Sequence, residues 1–103
     1  MVVTRSRGLY KEVTDELVDA KAMSRNHPTT FSAPHPSEID AIDEGVYVKI
    51  CHAEAKERFW VKVAKAEEGL IWGTVANDLG CLDWSFGKKV AFSARCVYDV
   101  VAV

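Results

Sequence analysis

The sequence predicts an α+β domain: an N-terminal helix packed on a small, strongly bent antiparallel sheet, or half-open barrel, of about five strands. Three observations carry this. Apolar residues in 8–25 recur at helical spacing, and from Gly45 the repeat shortens to two. Turn-forming residues then separate short apolar runs at near-regular intervals, as small all-β units require.

Leu9, Val13, Leu17 and Ala20 fall at i, i+4, i+8 and i+11, one stripe of a helix over 8–25, with Lys11, Glu12, Asp15, Glu16, Asp19 and Lys21 on its other faces. Asn26-His27-Pro28 ends it, because a residue before proline is pushed out of the helical region. Residues 26–44 hold all three prolines and read as a tether docked by Phe31, Ile39 and Ile42. Ser37-Glu38-Ile39-Asp40 resembles a capping box and predicts one helical turn there. Residues 45–103 form the sheet. Val46, Val48 and Ile50 alternate with Tyr47, Lys49 and Cys51; Phe59, Val61 and Val63 alternate with Trp60, Lys62 and Ala64. Leu70–Val75 is a third strand, entered through the turn Glu67-Glu68-Gly69, and Gly73 inside it marks a bulge or tight bend. Val90 and Phe92 mark a fourth strand, and 97–103 a fifth that is open to pairing within the chain or across a homodimer. The expected core is Leu9, Val13, Leu17, Phe31, Val46, Val48, Ile50, Phe59, Val61, Val63, Ile71, Val75, Val90, Phe92, Val97 and Val101. Residues 1–7 are expected to be a flexible N-terminus before a single domain over 8–103.

Composition narrows the function classes. Thirteen basic residues oppose fifteen acidic ones, for a net charge of -2, so the chain as a whole exerts no pull on nucleic acid or anionic membrane. Apolar residues make up 49% of the chain but form no run long enough to span a bilayer. The charged N-terminus lacks a signal peptide's apolar segment, and a cytoplasmic location is expected. Cys51, Cys81 and Cys96 are odd in number and lack CxxC spacing, which argues against a disulfide framework and a zinc knuckle. His27, His35 and His52 stand 8 and 17 residues apart, matching no metal signature. No cofactor or metal is expected.

Cys51-His52 offers a nucleophile beside a base, yet neighbours on a strand point to opposite faces, so an inward Cys51 and a solvated His52 are expected. Asn77-Asp78 reads as a turn that fixes the exit of the third strand, or as a rim site in which Asp78 meets Arg58 or Arg95. Gly87-Lys88-Lys89 reads as a hairpin turn with solvated lysines. Trp60 and Trp72 have the parity opposite to the core positions. Unless the helix covers them, they emerge near one another beside Arg58, Lys62 and Lys49 as an aromatic platform suited to a protein partner or to stacked bases.

Several blocks resemble a widespread family of small bacterial domains of unknown function. They are Pro28–Phe31, Pro36–Ile39, Gly45–Lys49, Glu57–Val61, Gly73–Asp78, Gly87–Phe92 and Val97–Val100, in that order, covering about residues 25–100. The resemblance implies a compact α+β fold and a bacterial, phage or plasmid setting, with no assigned activity. The chain departs from the family's pattern between Leu79 and Phe86, which marks Trp84 as its own specialisation.

The resulting expectation is a non-catalytic protein-interaction module working through Trp60, Trp72, Trp84, Arg58, Lys62 and Asn77, with an inhibitor of a host defence enzyme or toxin as one concrete form. A nucleic-acid-binding small barrel is the first alternative, since Lys49, Arg58, Lys62, Lys65, Lys88 and Lys89 all lie in the sheet half. A small enzyme using Cys51/His52 or Asp78/Arg95 is the second.

Overall fold

The computed structural model describes residues 10–27, 29, 33–77 and 86–101. Along them run β1 (Lys11–Glu12), a 3-10 turn (Thr14–Glu16), α1 (Ala20–Asn26), α2 (Pro36–Asp40), β2 (Tyr47–Cys51), β3 (Arg58–Glu67), β4 (Leu70–Val75), β5 (Lys89–Ser93), a second 3-10 turn (Ala94–Cys96) and β6 (Asp99–Val101). The strands make one six-stranded sheet in the order β1-β5-β4-β3-β2-β6. It is an open sheet rather than a barrel, and it is mixed, because β1 runs parallel to β5 while every other neighbour is antiparallel.

The period-two pattern sorts the side chains as expected. Val48, Ile50, Phe59, Val61, Val63, Ile71, Val75, Val90 and Phe92 are buried on one face and form the core with Val13, Leu17, Ile42, Cys96 and Val97. Truncating either buried phenylalanine, Phe59 or Phe92, would cost roughly 3–5 kcal/mol. The core expectation fails at its margins. Val46 precedes β2 and is half-buried, and Val101 on edge strand β6 keeps 45% of its surface exposed. Leu9 and Phe31 lie outside the described residues.

β3 and β4 meet through a two-residue turn in which Glu68 (φ 53) and Gly69 (φ 79) both take positive φ, the geometry of a type I′ hairpin. Further along the pair, Val63 faces Gly73 but Lys65 faces Trp72, so Ala64 is an extra residue and β3 is bulged. Gly73 is required opposite this bulge. A Cβ there would stand 2.5 Å from both the Lys62 carbonyl oxygen and Val61 Cγ1.

The helix expected over 8–25 is replaced, in its described part, by a strap and a short helix. Val13 donates its N–H to Ala91 O, Val18 donates to Cys51 O, and Ala53 donates back to Glu16 O. An isolated bridge joins Leu17 to His52. Residues 11–18 therefore run from β5 to the end of β2, placing Val13 and Leu17 in the core without a helix. Local side-chain bonds favour this path over a helix. Thr14 donates its N–H and hydroxyl to the Glu12 carboxylate, and its Oγ1 accepts the Ser93 N–H. Sheet pairing thus overrides helix propensity.

α1 begins where Asp19 caps it, Oδ1 accepting the Ala22 N–H at 2.9 Å. Its chief neighbour is the 94–96 turn rather than the face of the sheet. Asp19 Oδ2 also holds Arg95 Nε at 2.7 Å, so one carboxylate fastens α1 to that turn. In the tether the predicted helical turn is present as α2, but its capping box is built by His35 and Glu38, with Pro36 at the first helical position, and not by Ser37.

A Gly73→Ala substitution should lower stability by roughly 1–3 kcal/mol, because the Lys62 carbonyl and the buried, β-branched Val61 side chain both obstruct the new methyl. Urea denaturation checks this; an unchanged midpoint would contradict the tight β3–β4 approach.

Candidate functional site

The face of the sheet opposite the core is ordered by strand register into rows. Trp60 on β3 lies between Lys49 on β2 and Ala76, which donates its N–H to Trp60 O, and Asp99 on β6 extends this row. In the next row Val101, Tyr47, Lys62, Thr74 and Lys89 follow one another across five strands. Beyond the bulge, Lys65 stands opposite Trp72, and Trp72 opposite Ala91. Trp60 and Trp72 are both half-buried.

Cations alternate with rings along these rows. Lys49 Nζ lies 5.3 Å from the Trp60 ring centre and 6.0 Å from that of Tyr98. The Arg58 guanidinium lies 5.2 Å from Tyr98, Lys65 Nζ 5.6 Å from Trp72, and Lys89 Nζ 5.9 Å from Tyr10. Each such contact at an exposed site contributes about 0.5–1 kcal/mol. Lys65 is also paired with Glu67 at 3.1 Å. Among the described residues, by contrast, Lys49, Arg58, Lys62 and Lys89 have no carboxylate within ion-pair distance. Beside Trp60 a shallow groove of about 250 Å³ opens between Tyr47, Ala76 and Val101.

The expected site residues are brought together only in part. Trp60, Trp72, Arg58 and Lys62 share the outer face. The two indoles are not neighbours, however, since register separates them by four residues, about 13 Å along the strands. Helix α1 does not make this face its main seat, lying instead against the 94–96 turn. Asn77 serves the fold directly, its Oδ1 accepting the Trp60 N–H at 2.7 Å and fixing that part of β3. Trp84 and Asp78 lie outside the described residues. Tyr98 and Tyr47 were missed by sequence reasoning. The alternation Val97-Tyr98 carried a signal, because a buried Val97 turns its neighbour the other way.

The expected arrangement of Cys51 and His52 is reversed. Cys51 is half-buried at an outer-face position, with its Sγ 3.6 Å from the His52 carbonyl oxygen. His52 is the buried member. Its Nδ1 accepts the Ala55 N–H at 3.0 Å and its Nε2 lies 3.7 Å from Glu16 Oε1. The strap over β2 buries this ring, a contact invisible in local sequence. Arg95, the other catalytic candidate, is held by Asp19. His27 ends α1 and His35 caps α2, and the described residues contain no group of three or more potential metal ligands. No helix among them is long and apolar enough to cross a membrane. Two further grooves, of about 330 and 270 Å³, lie along the tether around Ile39 and Ala94, and neither is lined by a cysteine or histidine.

Two groups hold their protons unusually tightly. Burial pushes the Cys96 thiol up to about 12, and the Asp19 and Glu12 carboxylates add to the effect. Burial likewise raises the Tyr98 phenol to about 12, against the pull of Arg58.

In comparisons with protein-family models, curated proteins and solved structures, nothing matches this chain.

Both raised groups bind protons more strongly folded than unfolded. The stability they contribute is complete below their ordinary values of 9.0 and 10.0 and is lost as pH climbs toward about 12. Urea midpoints should fall over that interval, less steeply in Tyr98→Phe; identical slopes would show that the phenol is not involved. Alkylation followed by site-resolved mass spectrometry should label Cys51 before Cys96, and the reverse order would contradict the burial of Cys96.

Proposed function

We propose that this protein is a non-catalytic binding module whose working surface is the outer face of the sheet. The observation that carries the reading is the set of cations on that face, Lys49, Arg58, Lys62 and Lys89, interleaved with aromatic rings and without carboxylate partners among the described residues. Lys65 on the same face is paired with Glu67, so the open charge is confined to these four positions of the face. Unpaired charge held beside half-buried rings suits a partner that brings negative charge and apolar or aromatic surface together. The net charge of -2 favours a protein partner over nucleic acid, whereas the local charge of this face favours an anionic partner.

The catalytic alternatives have weaker support. Cys51 and His52 diverge, His52 is engaged with Ala55 and Glu16, and Arg95 is engaged with Asp19. None of these groups lines the groove beside Trp60.

Affinity capture from source cells tests this reading, with protein and nucleic acid both analysed in the eluate. Wild type should retain partners that the Arg58→Ala, Trp60→Ala variant loses at least tenfold. A Lys21→Ala, Arg25→Ala control on the exposed side of α1 should retain them. Equal recovery by all three folded proteins would remove the outer face as the working surface.

A further inference from the structure

We infer that the outer face binds single-stranded nucleic acid, with Trp60 and Tyr98 stacking bases and Lys49, Arg58 and Lys62 meeting phosphates. The inference rests on the outer face being the working surface and goes further by naming its occupant.

Charge and ring placement together select this ligand. An acidic peptide would satisfy the cations and leave the rings without a reason. An apolar partner would fill the groove at Tyr47, Ala76 and Val101 and bury three or four uncompensated charges, at a large desolvation cost. A single strand supplies a phosphate and a planar π-system at each step, in the same alternation as the face. Duplex bases are already stacked on one another and do not offer their faces.

The geometry fits an exchange of partners. Lys49 Nζ sits between two rings, at 5.3 Å from Trp60 and 6.0 Å from Tyr98, and Arg58 covers Tyr98 at 5.2 Å. When a strand arrives, a base takes the ring face that the ammonium held. The ammonium turns to the adjacent phosphate, gaining a full opposite charge for a ring quadrupole. Lys62, exposed and without a partner among the described residues, stands one row further along β3 and extends the track toward Lys65 and Trp72. The apolar groove beside Trp60 gives the stacked base a second wall.

Fluorescence anisotropy with a labelled 12-nucleotide oligothymidine tests this, alongside a duplex of equal length and a poly-glutamate peptide. The single strand should bind more tightly than either. Log affinity should fall against log salt with a slope of about -2, from three cations each releasing about 0.7 counterion, or about 15-fold between 50 and 200 mM. Trp60→Ala should weaken binding roughly tenfold or more and Trp60→Phe much less. Lys62→Ala, at an exposed position that leaves the fold intact, should lower the slope by about 0.7. Poly-glutamate bound more tightly than oligothymidine, with loss in the same variants, would overturn the nucleic-acid assignment and keep the outer face as the working surface. Oligothymidine binding unaffected by Trp60→Ala and Lys62→Ala would also overturn it.

Discussion

One extra residue in β3 keeps the two sides of this sheet distinct. Phe59, Val61 and Val63 enter the core at odd positions. Without Ala64 as a bulge, Lys65 would follow them inward, and Ala66 would leave its place opposite buried Ile71. A slip of one residue reverses every side chain beyond it. The bulge lets Lys62 and Lys65 share the outer face although they are three residues apart, an odd interval that strict alternation forbids. Gly73 makes this possible by offering no side chain where β3 bends closest.

The two faces follow different physical rules as a result. Burial of large aliphatic and aromatic side chains holds the inner one, at about 25 cal/mol per Å² of apolar surface removed from water. The outer face contributes little to folding, since exposed cation–ring contacts are worth a fraction of what one buried phenylalanine supplies. Weak contacts of that kind can be exchanged for a ligand's without loosening the core. Asn77 links the two faces, because its bond to the Trp60 N–H fixes the strand from which that indole projects.

What the sequence disclosed followed from local periodicity. Alternation in 46–51, 59–64 and 70–75 is a short-range property and reports directly which side chains turn inward. The parity of Trp60 and Trp72 was legible for that reason, whereas the bulge expected at Gly73 lies across from it in β3, at Ala64. Distance between the indoles was not, because register depends on the hairpin at Glu68–Gly69 and on Ala64 together. The N-terminal reading failed for a related reason. Val13, Leu17 and Ala20 are buried, as a helical stripe implies, yet spacing alone does not distinguish a helix from a strap whose amides find partners in β5 and β2. Asp19 three residues ahead of Ala22 was the available clue that the helix starts late. His52 is buried by that same strap, so its environment was hidden for as long as the strap was.

The strap also dictates the order of events as the chain is made. β2, β3 and β4 are joined by short connections, and their hairpins assemble from neighbouring residues soon after synthesis. Lys11 pairs with Val90, Thr14 meets Ser93 and Asp19 meets Arg95, contacts between residues far apart in sequence, 79 positions for Thr14 and Ser93. Loops of that length close slowly, and their ordering entropy must be met before the contact returns anything. A nascent chain therefore carries Val13 without its β5 partner until Ala91 has been made. On the opposite side, Lys49, Arg58, Trp60 and Lys62 come together with the hairpins, before Lys89 and Tyr98 join them.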